Sequence, residues 1–287
     1  MADRSPRVGL VTVNYFSAAL IDRLMASVAG QTMRPMHVVV VDNGDERPLD
    51  SRQIGAALPG IPVHIVETGV NRGYAAGVNA GVAALDPGAD QVLLVNPDVR
   101  LASADLIERL AGVVAGPAVG LATPRIDSSK YRWAASRRFP SALALGANFL
   151  TRGIQDERAL ALVVGLLGHV PIDEARTRAV AHTNGAVQLV DRGAFDRVAG
   201  FDERFFLYGE EVDFCRRLAV AGLARAYVPD VRADHAGGAS TARHAAARTM
   251  RLYLESMERY FDKWDQPVSR LVFAAAVRVH RRLRPVG

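Results

Sequence analysis

A single cysteine, Cys215, stands in 287 residues, which excludes a disulfide within the chain and suits a reducing compartment. No apolar run approaches the ~20 residues that a bilayer crossing needs. The longest, 159–168 and 271–277, stop well short. The opening residues, Met1 to Pro6, carry no apolar signal core, so a cytoplasmic protein is expected. Lysine is almost missing: Lys130 and Lys263 are the only two among 35 basic residues, and the rest are arginine. Guanidinium groups suit phosphate contacts, although a GC-rich genome produces the same bias without functional cause. Acidic residues are outnumbered, and the net charge of +5 favours an anionic partner such as a nucleotide, a phospholipid surface, a pyrophosphate-linked acceptor or nucleic acid. Absent too are a strict G-x-G-x-x-G fingerprint after the first strand and a Walker lysine, which disfavours a nicotinamide-dependent oxidoreductase and a P-loop enzyme. There is no internal repeat and no low-complexity linker.

What is present reads as one sizeable core, since 49% of the residues are hydrophobic and 23% charged. Four β-branched, nearly continuous apolar runs, Val8–Asn14, His37–Asp42, Val63–Glu67 and Gln91–Val95, predict strands buried on both faces. Helical spacing lies between them: Leu20, Leu24 and Val28 recur, and Ser103 is placed to cap a helix running to about Ala115. This alternation predicts an α/β fold with a mostly parallel sheet. From 125 to about 182 the pattern weakens into an irregular insertion with helical stretches expected at 142–150 and 157–167. Order returns with a strand at 185–191, a helix over Glu210–Val220, an extended run at 225–228, a long helix at 243–261 and a last amphipathic stretch at 268–283.

Ligands of open α/β sheets bind beyond the carboxyl ends of the strands. Those ends are Asn14-Tyr15, Asp42-Asn43-Gly44 and Asn96-Pro97-Asp98. An Asp after a proline turn can hold a hard divalent cation that bridges two phosphates, yet Asn-Pro-Asp is also an ordinary turn sequence. The run Asn71-Arg72-Gly73-Tyr74-Ala75-Ala76-Gly77-Val78-Asn79-Ala80-Gly81 enters a helix through glycines, which suits either an anion at the helix start or close helix–sheet packing at Gly77 and Gly81. Glu210, Glu211 and Asp213 complement a helix N-terminus and can pair with Arg216 or Arg217. Alternatively, one of them is a general base facing a cleft. His235 is a lone histidine after a strand, and neutral imidazole can ligate a metal.

Taken in order, VTVNYFS, VVDNG, NRGYAAGVNAG, LLVNPDV, NGAVQLVDRGAFDRVAGFDERFFLYGEEVDFCRRL and DHAGGAST resemble glycosyltransferase family 2, within it the rhamnosyltransferase-like members. The resemblance implies a GT-A fold. Residues 1–124 would form a nucleotide-sugar-binding half and 125–241 an acceptor-binding, catalytic half containing the 125–182 insertion, followed by C-terminal helices at 242–287. Asn14 and Asp42 would contact the nucleoside, with Asn71, Gly73 and Asn79 near the ribose or phosphates. Asp98 and His235 would hold Mg²⁺ or Mn²⁺, Asn96 standing at the first position of a D-x-D-like motif. Glu211 would be the catalytic base, at a place where the family usually has Asp; Glu210 and Asp213 remain alternatives. The implied reaction is inverting transfer of a sugar, L-rhamnose from dTDP-L-rhamnose first, to an acceptor hydroxyl on a glycan, a lipid-linked glycan or a natural product. UDP-sugar use, by a galactofuranosyl or other hexosyl transferase, is the rival, and an inactive nucleotide-sugar-binding scaffold the third reading. Nucleic acid is not among the expected partners. The basic stretch at 268–283 suits peripheral contact with the inner membrane face, or equally a helix packed on the body.

Overall fold

The computed structural model describes residues 5–44, 48–128, 135–136, 138–142, 145, 176–236, 246–265 and 267–283. The chain runs through β1 (Val8–Asn14), α1 (Ala18–Ala29), β2 (His37–Asp42), α2 (Ser51–Ala56), β3 (Val63–Glu67), α3 (Tyr74–Ala83) and β4 (Gln91–Val95). It continues with β5 (Val99–Leu101), α4 (Leu106–Val114), β6 (Val119–Asp127), β7 (Ala135–Ser136), β8 (Arg178–Ala179), β9 (His182–Thr183) and β10 (Val187–Asp191). Then come α5 (Arg192–Arg197), α6 (Glu210–Val220), β11 (Ala224–His235), α7 (Ala246–Trp264) and α8 (Pro267–Leu283). The helices expected at 142–150 and 157–167 lie almost wholly outside the described residues.

Nine strands form one sheet in the order β3-β2-β1-β4-β10-β6-β11-β5, with β8 beside β11. The first four are parallel, as continuous β-branched runs require. Beyond β4 the sheet becomes mixed, because β10 enters antiparallel to both β4 and β6. Residue 124 lies inside β6, a strand of this sheet. Side chains alternate between two cores: Leu10, Val38 and Leu93 face α1, α2 and α4, while Val11, Val39 and Leu94 face α3, α5 and α6. A third core joins Phe205 and Val212 to Leu254, Tyr260, Phe261 and Phe273 of the C-terminal helices.

Three elements differ from the sequence reading. The helix at α4 starts later than a Ser103 cap implies, because the Ser103 hydroxyl instead accepts the Arg232 N–H of β11 at 2.9 Å. Strand β11 extends far beyond 225–228; its ladder with β6 slips between Val228 and Arg232, around Pro229, which has no N–H to donate. Gly120, Ala122 and Pro124 dilute the β signal of β6.

Close packing accounts for the α3 glycines. A Cβ on Gly81 would lie 2.4 Å from Val11 Cγ1, and one on Gly77 2.8 Å from Val13 Cγ1. Gly81→Val is therefore expected to cost about 1–3 kcal/mol. Gly112→Ala in α4, where an added Cβ meets nothing within 4 Å, should instead gain about 0.5–1 kcal/mol. Urea denaturation of the two variants reads both signs.

Candidate active site

Parallel register sets Asn14 beside Asp42 at the ends of β1 and β2. Asn14 is buried; its Nδ2 donates to Asp42 Oδ1 at 3.3 Å, and its Oδ1 accepts from the Ser17 amide and hydroxyl at 3.1 and 2.9 Å. It thus anchors the turn that aims Asp42, which is only partly buried and can meet a ribose hydroxyl or a base N–H. Asn43, not singled out from the sequence, carries the next link. Its Nδ2 donates to Gly73 O at 2.9 Å and Asn71 Oδ1 at 3.2 Å, and its Oδ1 accepts from Thr68.

Gly73 has φ 95, and a Cβ there would sit 2.4 Å from Phe206 O, which accepts the Tyr74 N–H at 2.8 Å. Its glycine is thus required by the backbone of the acidic loop, independently of any phosphate. Asn79 lies apart from the strand ends in its bonding. Its amide holds Phe201 both ways, donating to the carbonyl and accepting the N–H at 2.9 Å each, and reaches Glu203 at 3.1 Å. These bonds brace the Gly200–Glu203 loop.

Asn96-Pro97-Asp98 is a β-turn closed by Val99 N–H to Asn96 O, and Asn96 N–H is held by Ala186 O at 2.9 Å. The antiparallel ladder then brings the distant histidine in: β11 pairs His235 with Val99, and Ala236 N–H reaches Asp98 O. His235 Nε2 consequently lies 3.1 Å from Asp98 Oδ1, with the two side chains only 7% and 6% exposed. A carboxylate and an imidazole so placed fit one divalent cation. Among the described residues no third His, Cys, Asp or Glu joins them, so further ligands would come from phosphate oxygens and water, as is usual for Mg²⁺.

The acidic loop is built by two successive left-handed residues, Tyr208 (φ 71) and Gly209 (φ 80), which turn the chain into α6. Such a φ is uncommon for tyrosine, and it is held here by packing: Ser256 of α7 donates to Leu207 O at 2.8 Å, and Phe205 is fully buried. Glu210 and Glu211 follow directly. Burial, and then the charge of Glu211, push the Glu210 carboxyl well above the ordinary range. Burial also raises Glu211, against the N–H groups of Glu211 itself, Gly209 and Val212, which favour its charged form. The Oε2 atoms of both accept no hydrogen bond from a described residue.

Asp213 differs sharply from its two neighbours. It is fully buried and accepts from Arg217 Nε at 2.8 Å, Trp264 Nε1 at 2.7 Å and Lys263 Nζ at 3.0 Å. A carboxylate so enclosed fastens α6 to α7 and has no path to an acceptor hydroxyl.

Two features join the metal-type pair to the glutamates. The 184–186 loop touches both: Ala186 O holds Asn96, and a Cβ on Gly185 would lie 3.4 Å from Glu211 Cβ. Tyr74 senses all three carboxylates, since its phenol pKa is raised first by burial and then by Glu210, Glu211 and Asp98. It stays a neutral donor among them. Sequence reading passed over Tyr74 as a member of a glycine-rich run.

A family profile described as glycosyltransferase like family 2 matches residues 6–261. The N-acetylglucosaminyl-diphospho-decaprenol L-rhamnosyltransferase of Mycobacterium tuberculosis is 30% identical over 96% of this chain and 92% of its own length. Among solved structures, the mannosyltransferase PcManGT from Pyrobaculum calidifontis, in complex with GDP-Man and Mn²⁺, is 18% identical with a TM-score of 0.62, covering 99% of this chain and 77% of its own. GalNAc-T7 with UDP, GalNAc and Mn²⁺ is 12% identical with a TM-score of 0.68, covering 99% and 52%. The architecture is accordingly the GT-A fold. With the profile spanning most of its length and a relative alike over nearly all of both chains, this chain belongs to the glycosyltransferase like family 2 and is a nucleotide-sugar glycosyltransferase of rhamnosyltransferase-like sequence.

Proposed function

We propose that the chain transfers L-rhamnose from dTDP-L-rhamnose, with inversion, to a hydroxyl of a polyprenyl-diphosphate-linked glycan. The carrying observation is that the strand end leading to the Asp98–His235 pair and Glu211 both border the 184–186 loop. The sugar and the class of acceptor follow the mycobacterial relative, an L-rhamnosyltransferase acting on N-acetylglucosaminyl-diphospho-decaprenol. Asp42, aimed by Asn14, binds the nucleoside. Asp98 and His235 would hold Mg²⁺ or Mn²⁺, which neutralises charge on the departing diphosphate when bound. Glu211 takes the proton from the acceptor hydroxyl as its oxygen attacks the anomeric carbon from the face opposite the diphosphate. One displacement inverts that centre. Glu210 is buried, and burial followed by the charge of Glu211 pushes its carboxyl well above the ordinary range.

A thermal-shift panel of dTDP- and UDP-sugars with and without Mn²⁺ tests donor and metal together. At about 100 times Kd a ligand adds about 2.7 kcal/mol, or roughly 5–10 °C for a chain of this size. dTDP-L-rhamnose with Mn²⁺ should give that shift, and Asp98→Ala should lose most of it. Equal shifts in wild type and Asp98→Ala would remove Asp98 from the donor site, and a larger shift with a UDP-sugar would replace the donor.

A further inference from the structure

Helix α8 has two apolar faces, and only one is covered. Phe273, Ala276 and Val277 point inward and are buried, Phe273 packing on Phe261 of α7 with ring centroids 5.0 Å apart. On the other side Val268 and Leu271 are each 72% exposed, and Val272 and Val279 are exposed with them. These four stand at i, i+3, i+4 and i+11, which is one stripe of a 3.6-residue helix. Single exposed apolar side chains are normal. Here, however, four of the six large hydrophobic side chains exposed among the described residues lie on this one helix, so scatter does not account for them.

Charge identifies what covers the stripe. The 17 residues of α8 include no Asp or Glu. Exposed Arg278 flanks the stripe, Arg270 lies on the α7 side paired with Asp262, and the sequence adds Arg281, Arg282 and Arg284. A symmetric pairing of two copies would bring these like charges together, whereas an anionic lipid surface neutralises them. The stripe covers about 16 Å at 1.5 Å per residue, about half of a ~30 Å hydrocarbon core, and no described helix is long and apolar enough to cross a membrane. Such a helix lies in the interface plane.

We infer that the outer face of α8 docks on an anionic lipid bilayer, with Val268, Leu271, Val272 and Val279 entering the headgroup boundary and Arg278 beside them meeting lipid phosphates. The inference stands apart from the choice of donor and acceptor. Its consequence for catalysis follows from connectivity: α8 packs on α7, and α7 holds Leu207 and Gly209 through Ser256 and Met257, immediately before Glu211. Docking would therefore leave α8 and α7 between the membrane and the loop that precedes Glu211.

Sedimentation of the full chain with sucrose-loaded vesicles tests this. It should pellet with two parts phosphatidylcholine to one part phosphatidylglycerol and stay soluble with phosphatidylcholine alone. Val268→Asp with Leu271→Asp should weaken anionic-vesicle binding at least tenfold, and Arg278→Glu about tenfold. Both variants change exposed positions and should keep the wild-type melting temperature. Wild type remaining in the supernatant with anionic vesicles would overturn the inference. So would undiminished binding by the Val268/Leu271 variant, or a dimer in size-exclusion chromatography that this variant converts to monomer.

Discussion

Glu211→Gln should lower kcat by about 10²–10⁴-fold, the usual contribution of a general base, while leaving the affinity for nucleoside diphosphate within about threefold of wild type. Three carboxylates crowd the start of α6, and their surroundings separate them. Asp213 is enclosed by Arg217, Lys263 and Trp264. Glu210 is buried and raised furthest, by desolvation and then by its neighbour's charge. Two adjacent buried glutamates titrate as a pair. Glu211 is partly exposed beside Gly185, and the N–H groups of Gly209 and Val212 favour its charged form, so it is the member suited to act as base. Its pKa is nevertheless above the ordinary carboxylate range, and a base must be deprotonated to act. Activity should therefore fall, as pH is lowered, through a limb lying above that range, and Glu211→Gln should abolish the limb along with the rate. Glu211→Asp restores the residue usual at this place in the family and should retain far more turnover than Gln. Steady-state kinetics that found Glu211→Gln within fivefold of wild type would remove the base from this residue.

The parallel half of the fold was legible because β1 to β4 are unbroken β-branched runs whose pattern survives without tertiary context. Strand β6 escaped notice because Gly120, Ala122 and Pro124 carry little β preference and gain their place only from the neighbours β10 and β11. The site divides in the same way. Asp42 and Asp98 stand directly after readable strands, and the rule that ligands lie at strand ends finds both. His235 meets Asp98 only through the antiparallel register of β5 with β11, a long-range pairing that no local pattern encodes. The resemblance supplied that residue where periodicity did not. Asn79 shows another limit: the motif marks the position, but its bonds to Phe201, 122 residues away, are visible only in the fold. Nor could spacing distinguish Asp213 from Glu210 and Glu211, since its partners Lys263 and Trp264 arrive from a helix some 50 residues later.

Asp213→Ala should be among the most destabilising single substitutions in the chain, at about 3–5 kcal/mol for one partner removed from a buried charge network. That corresponds to a fall in melting temperature of roughly 6–20 °C at this size. The cost arises from what is left behind. Trp264 Nε1 loses its acceptor inside the protein, Arg217 loses its 2.8 Å partner, and Lys263 keeps only Asp202, at 2.9 Å. Asp202 cannot compensate for both cations, because it is already engaged by Arg204, which with Lys263 holds its carboxyl well below the usual range. Arg217 retains the carbonyls of Val198 and Gly200, which favours the lower end of the span. Asp213→Asn, keeping an acceptor for Trp264, should lose less than Ala. The two α6 carboxylate variants thus separate the roles of neighbouring residues: Asp213→Ala lowers stability in urea with a folded-state kcat changed far less than by Glu211→Gln, while Glu211→Gln lowers kcat with little change in stability. If Asp213→Ala instead melted within 2 °C of wild type, α6 would not be fastened to α7 through this carboxylate, and the packing that positions Glu211 would have to come from Phe205 and Ser256 alone.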